Sequence, residues 1–211
     1  METKFSQVEA AFLKKAGGYD ITTRTPYILV ENFPQLGLMT SLRFLEWVLE
    51  NPEGVISLPT GKTPEFFIKY TDLLLENWNN KKGEDIRKSY GLENASKPDL
   101  RGLHFVQIDE FYPISPNQHN SFYNYVEKYY IQGFGLDRNK SLLINSDEIP
   151  LARCKHFSEI FPDSRVDLSL IYRDPKTDLE RCQQESILKI IDWCYQYEEQ
   201  IREKGGIGFF C

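Results

Sequence analysis

From Leu36 to Leu49 the apolar residues Leu38, Met39, Leu42, Leu45, Val48 and Leu49 recur at three- and four-residue intervals, which puts them on one stripe of a helix that Asn51-Pro52 ends. The pattern then changes. Val55-Ile56-Ser57-Leu58 is a short, partly β-branched apolar run, Pro59 to Pro64 is a loop of turn formers, and helical spacing resumes through Phe67, Ile68, Leu73 and Leu74. Residues 79–102 are polar and charged and predict a solvated connection or surface insertion. Leu103–Ile108 is apolar almost throughout, as expected of a strand covered on both faces in a parallel sheet, and the turn-rich stretch Tyr112–Asn120 follows it. Ser121–Ile131 is aromatic and compatible with a helix, while Leu142–Ile144 and Val166–Ile171 are candidate short strands. Asp178–Lys204 predicts one or two helices with Asp178 as N-cap and Gly205-Gly206 as the stop, and Ile207–Phe210 would be the last strand. Residues 1–30 read as an N-terminal extension: an amphipathic stretch at Val8–Lys15, then Gly17-Gly18, then a partly alternating run over Ile21–Val30. Strands alternating with helices predict an α/β fold over residues 31–211, an open, mostly parallel, Rossmann-like sheet with helices on both faces.

Composition narrows the function. The length of 211 residues fits one ordinary domain, and the 41% hydrophobic and 14% aromatic content supplies a packed core, which excludes global disorder. A net charge of −6 offers no large positive field, so neither nucleic acid nor an anionic membrane surface is an expected partner. No stretch approaches the ~18 apolar residues of a membrane span, and Met1–Ser6 do not open a signal peptide, so a cytoplasmic location is expected. Cys154, Cys182, Cys194 and Cys211 show no metal-ligand spacing and read as reduced, small buried hydrophobes. Cys182 and Cys194 fall on no common helix face.

Two stretches could carry chemistry. In Ser57-Leu58-Pro59-Thr60-Gly61-Lys62-Thr63-Pro64 a strand ends, Gly61 permits a tight turn or a close approach, and Thr63 could cap a helix whose first residue is Pro64. A helix N-terminus with free N–H groups attracts phosphate, to which Thr60, Lys62 and Thr63 add hydroxyl and ammonium donors. The spacing is not that of a Walker loop, and the alternative is a plain capped strand-to-helix turn. In Val106-Gln107-Ile108-Asp109-Glu110-Phe111-Tyr112 two carboxylates stand at the carboxyl end of an apolar strand, where open α/β sheets bind ligands. Partial desolvation there would raise the basicity of Asp109 and suit it to take a proton from carbon beside a carbonyl; alternatively Asp109 braces the following loop. His119 lies close enough in sequence to contribute to such a site, His104 reads as a satisfied structural residue, and His156 has no partner in sequence. The aromatic run Phe122, Tyr123, Tyr125, Tyr129 and Tyr130 reads as helix packing, because no basic stripe accompanies it.

Together these motifs resemble the glucosamine-6-phosphate deaminase/isomerase family, which also includes the 6-phosphogluconolactonases at greater distance. The family's Leu-Pro-Thr-Gly-x-Thr-Pro phosphate loop is similar to Leu58-Pro59-Thr60-Gly61-Lys62-Thr63-Pro64, and its Met-Asp-Glu-Tyr to Ile108-Asp109-Glu110-Phe111. Its His-Pro-x-Ser-Tyr resembles His119-Asn120-Ser121-Phe122, with Asn in the Pro position, and Cys194–Arg202 resembles the helix upstream of its Gly-x-Asp-Gly-His segment. The resemblance implies conversion of glucosamine 6-phosphate to fructose 6-phosphate and ammonia, with Asp109 and Glu110 as the catalytic residues, Asp109 moving a proton from C2 to C1, and Thr60, Gly61, Lys62 and Thr63 holding the phosphate. It implies a small-molecule sugar phosphate as partner, no metal and no organic cofactor, and it is compatible with a homo-oligomer. Phe111, where the lactonases usually carry Arg, favours the deaminase branch. A lactonase-like hydrolase and a non-catalytic sugar-phosphate-binding domain are the alternatives. Residues 79–102 and about 145–177 are longer than in typical deaminases, and the N-terminal extension has no counterpart there. The family's ring-opening His would fall beyond Cys211, so the domain is expected to be incomplete at its C-terminus, and this chain by itself inactive.

Overall fold

The computed structural model describes residues 5–16, 27–154 and 156–211; Gly17-Gly18 and most of the Ile21–Val30 run lie outside them. Helix α1, Gln7–Ala16, buries Val8 and Phe12, and the Phe12 ring stacks on Tyr90 at 4.4 Å. It packs on α2, Phe33–Glu50, so this part of the N-terminal stretch belongs to the same core. Helix α2 starts three residues before the apolar stripe, because Asn32 caps it by accepting the Gln35 N–H at 2.9 Å and Pro34 sits in the first turn. Strand β1, Val55–Ser57, is followed by α3, Glu65–Asn77. Helices α2 and α3 approach closely where Gly37 lies: a Cβ there would come within 2.4 Å of the Phe66 Cβ. Nearby, the buried Ser41 hydroxyl donates to the Phe67 carbonyl at 2.8 Å and accepts from Thr71 at 3.0 Å.

Helix α4, Lys81–Ser89, lies in the stretch expected to be a solvated connection. Its charge is no bar to burial, because Arg87 turns inward and its two terminal nitrogens bond backbone carbonyls, donating to Leu92 and Trp78 at 2.9 Å and to Glu93 at 3.0 Å, while its buried Nε is left without a partner. Strand β2 is His104–Val106, α5 is Phe122–Val126, and α5 runs on into a π-helical segment, Glu127–Gly133. Strand β3 is Ser141–Leu142, α6 is Phe157–Ile160, α7 is Asp178–Glu203 and β4 is Phe209–Phe210. Val166–Ile171 is no strand: Leu168–Ile171 forms one helical turn, started by Asp167 accepting the Ser169 N–H, with Leu170 alone buried. The N-cap of α7 is Thr177 rather than Asp178, since the Thr177 hydroxyl accepts the Glu180 N–H at 3.1 Å and leaves Asp178 in the first turn.

The four strands are parallel in the order β3-β2-β1-β4. Alternation sends Ile56, Phe105 and Phe209 toward α2 and α3, and Val55, Val106 and Leu142 toward Tyr197, Trp193 and Ile201 of α7. Helices therefore cover both faces, as the apolar strands predicted. Of the cysteines, Cys182 is buried, whereas Cys194 and Cys211 are exposed, the former because α7 offers only one face to the core. No helix among the described residues is long and apolar enough to cross a membrane.

Candidate active site

Register decides what meets at the sheet edge. Val55 pairs with His104 and Ile56 with Phe105, so β1 and β2 end side by side, and the loops after Ser57 and Val106 leave from the same, carboxyl-terminal edge. On the other flank Ser57 pairs with Phe210. The chain leaves β1 toward β2 and β3 and then returns to the far side of β1, which makes the β1/β4 boundary a switch point of the kind where open α/β sheets bind ligands. The loop after β1 borders that boundary.

In this loop Gly61 has φ +86°, the left-handed region that favours glycine, and a Cβ there would meet nothing within 4 Å, so the space where a side chain would project is open. The N–H groups of Thr60, Gly61, Lys62 and Thr63 and the polar side chains of Thr60, Lys62 and Thr63 have no hydrogen-bond partner among the described residues. Thr63 does not cap α3: Pro64 holds the cap position, its carbonyl accepts from Ile68 at 2.9 Å, and no side-chain bond closes the first turn. The open N-terminus of α3 and four free amides thus stand together with one lysine. The arrangement has the donors to bind an anion.

Asp109 lies three residues beyond the end of β2, exposed, with its carbonyl held by the Gln107 side chain at 2.9 Å. Partial burial, and secondly the neighbouring Glu110 charge, hold its carboxyl above the usual carboxylate value, which makes it a better base than a solvated aspartate. Glu110 is fully engaged: one oxygen accepts from the Phe111 and Phe122 N–H groups at 2.9 and 3.1 Å, the other from the Ser121 hydroxyl and the Tyr123 N–H at 2.8 Å. It folds the loop back on itself and caps α5. His119 is exposed on the same loop. His104 is structural but not satisfied, since its buried Nδ1 has no partner; burial, helped by Lys204 and Lys140, lowers its pKa. Among the described residues no three His, Cys, Asp or Glu side chains are placed to hold a metal ion.

Three residues that hold the two loops escaped the sequence reading. Gln107 spans the ends of β2 and β3, taking the Ile144 N–H at 3.0 Å while holding Asp109. Tyr197 of α7 donates to the Gln107 carbonyl at 2.5 Å, and Tyr130 donates to the Pro59 carbonyl. The one available signal was Gln107, a polar residue inside the apolar run Leu103–Ile108. A cleft of about 600 Å³ also opens beyond β2 and β3, between residues 112–118 and 146–157, and its lining includes neither Thr60–Thr63 nor Asp109.

No family model and no curated protein sequence matches the chain. Among solved structures, a monomeric glucosamine-6-phosphate deaminase described as a missing link of the NagB superfamily has a similar fold, with a TM-score of 0.53 and 15% identity. The likeness covers 84% of this chain and 50% of that one, so the chain spans about half the length of that deaminase.

Proposed function

We propose that the chain acts on an amino-sugar phosphate as a glucosamine-6-phosphate deaminase/isomerase-like enzyme, giving a ketose phosphate and ammonia. The observation that carries the reading is the adjacency of β1 and β2, which brings the open loop Thr60–Thr63 and the basic Asp109 to one edge of the sheet. The likeness of fold to a glucosamine-6-phosphate deaminase supports it. In this reading the free amides of Thr60–Thr63, Lys62 and the α3 N-terminus take the phosphate, and that binding energy places the sugar's C2 beside Asp109. Asp109 takes the C2 proton and returns it to C1; the C2 amine leaves as ammonia and water supplies the new carbonyl oxygen. Glu110 holds the loop in place, and no metal or organic cofactor is required.

Thermal unfolding with glucosamine 6-phosphate against glucosamine tests the binding. At a hundred times Kd the phosphate ester should stabilise by about 2.7 kcal/mol and raise Tm by about 5–10 °C. Equal shifts with both sugars refute the loop assignment. Ammonia release by a complete enzyme and by its Asp109→Asn variant tests the chemistry, and hydrolysis of 6-phosphogluconolactone without ammonia release would move the chain to the lactonase branch.

A further inference from the structure

The π-helical segment Glu127–Gly133 brings a phenol to the loop after β1 from 71 residues away. Tyr130 is fully buried, its ring packed against Phe134 at 5.2 Å and Phe105 at 5.8 Å, and phenylalanine would fill the same space. Its hydroxyl is therefore the part that needs explaining, and it goes to one group, the Pro59 carbonyl. The Pro59–Thr60 peptide is trans, so its carbonyl and the Thr60 N–H point in opposite directions from one plane. Holding the carbonyl toward the core aims the Thr60 N–H away from it, in a loop where Gly61 has open space beside it and the next three amides are also free.

We propose that Tyr130 is a positioning residue of the anion-binding loop: by fixing the Pro59–Thr60 peptide plane it sets the direction of the first of the four free amides. This rests on the reading of Thr60–Thr63 as a phosphate loop. The burial that surrounds Tyr130 pushes its phenol far above the usual tyrosine value, so it stays a donor at any pH the fold survives. A tyrosine that served packing alone would leave phosphate affinity unchanged when its oxygen is removed.

Calorimetric titration with inorganic phosphate and glucosamine 6-phosphate tests this in three proteins. Tyr130→Phe should weaken both ligands about tenfold, the worth of one lost hydrogen bond. Val126→Ala, which removes buried volume one turn earlier in the same cluster, should lower Tm and leave both affinities within about twofold of the wild type. Tyr130→Phe binding like the wild type, or Val126→Ala weakening binding as much, overturns the inference. A wild type that binds neither ligand refutes the loop reading itself. If Tyr130→Phe does not fold, 3-fluorotyrosine at position 130 keeps the hydroxyl, and its fluorine resonance should move as phosphate saturates the loop; an indifferent resonance overturns the inference equally.

Discussion

Replacing Gln107 tests how the end of β2 is held. The residue is 2% exposed, and its own N–H donates to the Leu142 carbonyl at 2.9 Å. Its side chain bonds the Asp109 carbonyl and the Ile144 N–H, and its carbonyl accepts from Tyr197. Gln107→Leu keeps the size and breaks the two side-chain bonds. The Asp109 carbonyl belongs to an exposed residue and can turn to water, so its loss costs little; the half-buried Ile144 N–H is left without a partner, which costs about 1–3 kcal/mol. A net loss of about 2 kcal/mol lowers Tm by about 4–8 °C for a chain of this size. Urea unfolding should show a lower midpoint with an unchanged m-value. Gln107→Glu supplies a pH signature. A carboxylate buried there would face the Asp109 carbonyl, so the folded pKa rises above the unfolded value of about 4.3, and the protonated form alone can both donate to Asp109 and accept from Ile144. The deficit of Gln107→Glu should therefore be absent below about pH 4 and grow as pH rises through the folded pKa. An unchanged midpoint for the leucine variant, or a glutamate deficit that persists at low pH, refutes the reasoning.

In a complete enzyme, Asp109→Asn should lower turnover by about 10²-fold or more at nearly constant KM, read by the ammonia assay. Because the folded pKa of Asp109 is raised, its ionisation opposes folding as pH climbs from the unfolded value through the folded one; the Tm gap between Asp109→Asn and wild type should be nil near pH 3 and favour asparagine near pH 7. Glu110→Gln removes the second cause of that shift, so the Asp109 carboxyl should titrate lower by carbon NMR, while the weakened cap on α5 costs about 1 kcal/mol in urea unfolding. Gly61→Val forces a β-branched residue to φ +86°, at a cost of about 1–2 kcal/mol or a changed loop path, and phosphate affinity should fall in calorimetry; equal binding would sink the loop assignment.

The parts of this molecule that announce themselves in sequence are local. Strands β1 and β2 lie within the apolar runs Val55–Leu58 and Leu103–Ile108 because a parallel strand covered on both faces must be apolar at successive positions. Their following loops were legible as candidate chemistry because turn formers and carboxylates interrupt those runs. Helix α4 was hidden, since a helix anchored by Arg87 on carbonyls carries no apolar stripe, and Val166–Ile171 misled, since alternation over six residues fits a capped turn as well as a strand. The supports of the candidate site were hidden for a different reason. Tyr130 and Tyr197 reach carbonyls 71 and 90 residues away, and a backbone carbonyl is present at every position, so neither bond leaves a complementary residue to be found. Both tyrosines sit among aromatics whose packing accounts for the ring but not for the hydroxyl. One comes from each face of the sheet, Tyr130 to the end of β1 and Tyr197 to the end of β2. The loop with four free amides and the loop with the raised carboxyl are each fastened, at their first residues, to a buried phenol: Tyr130 bonds the Pro59 carbonyl alone, and Tyr197 bonds the Gln107 and Leu142 carbonyls and so ties the end of β2 to β3.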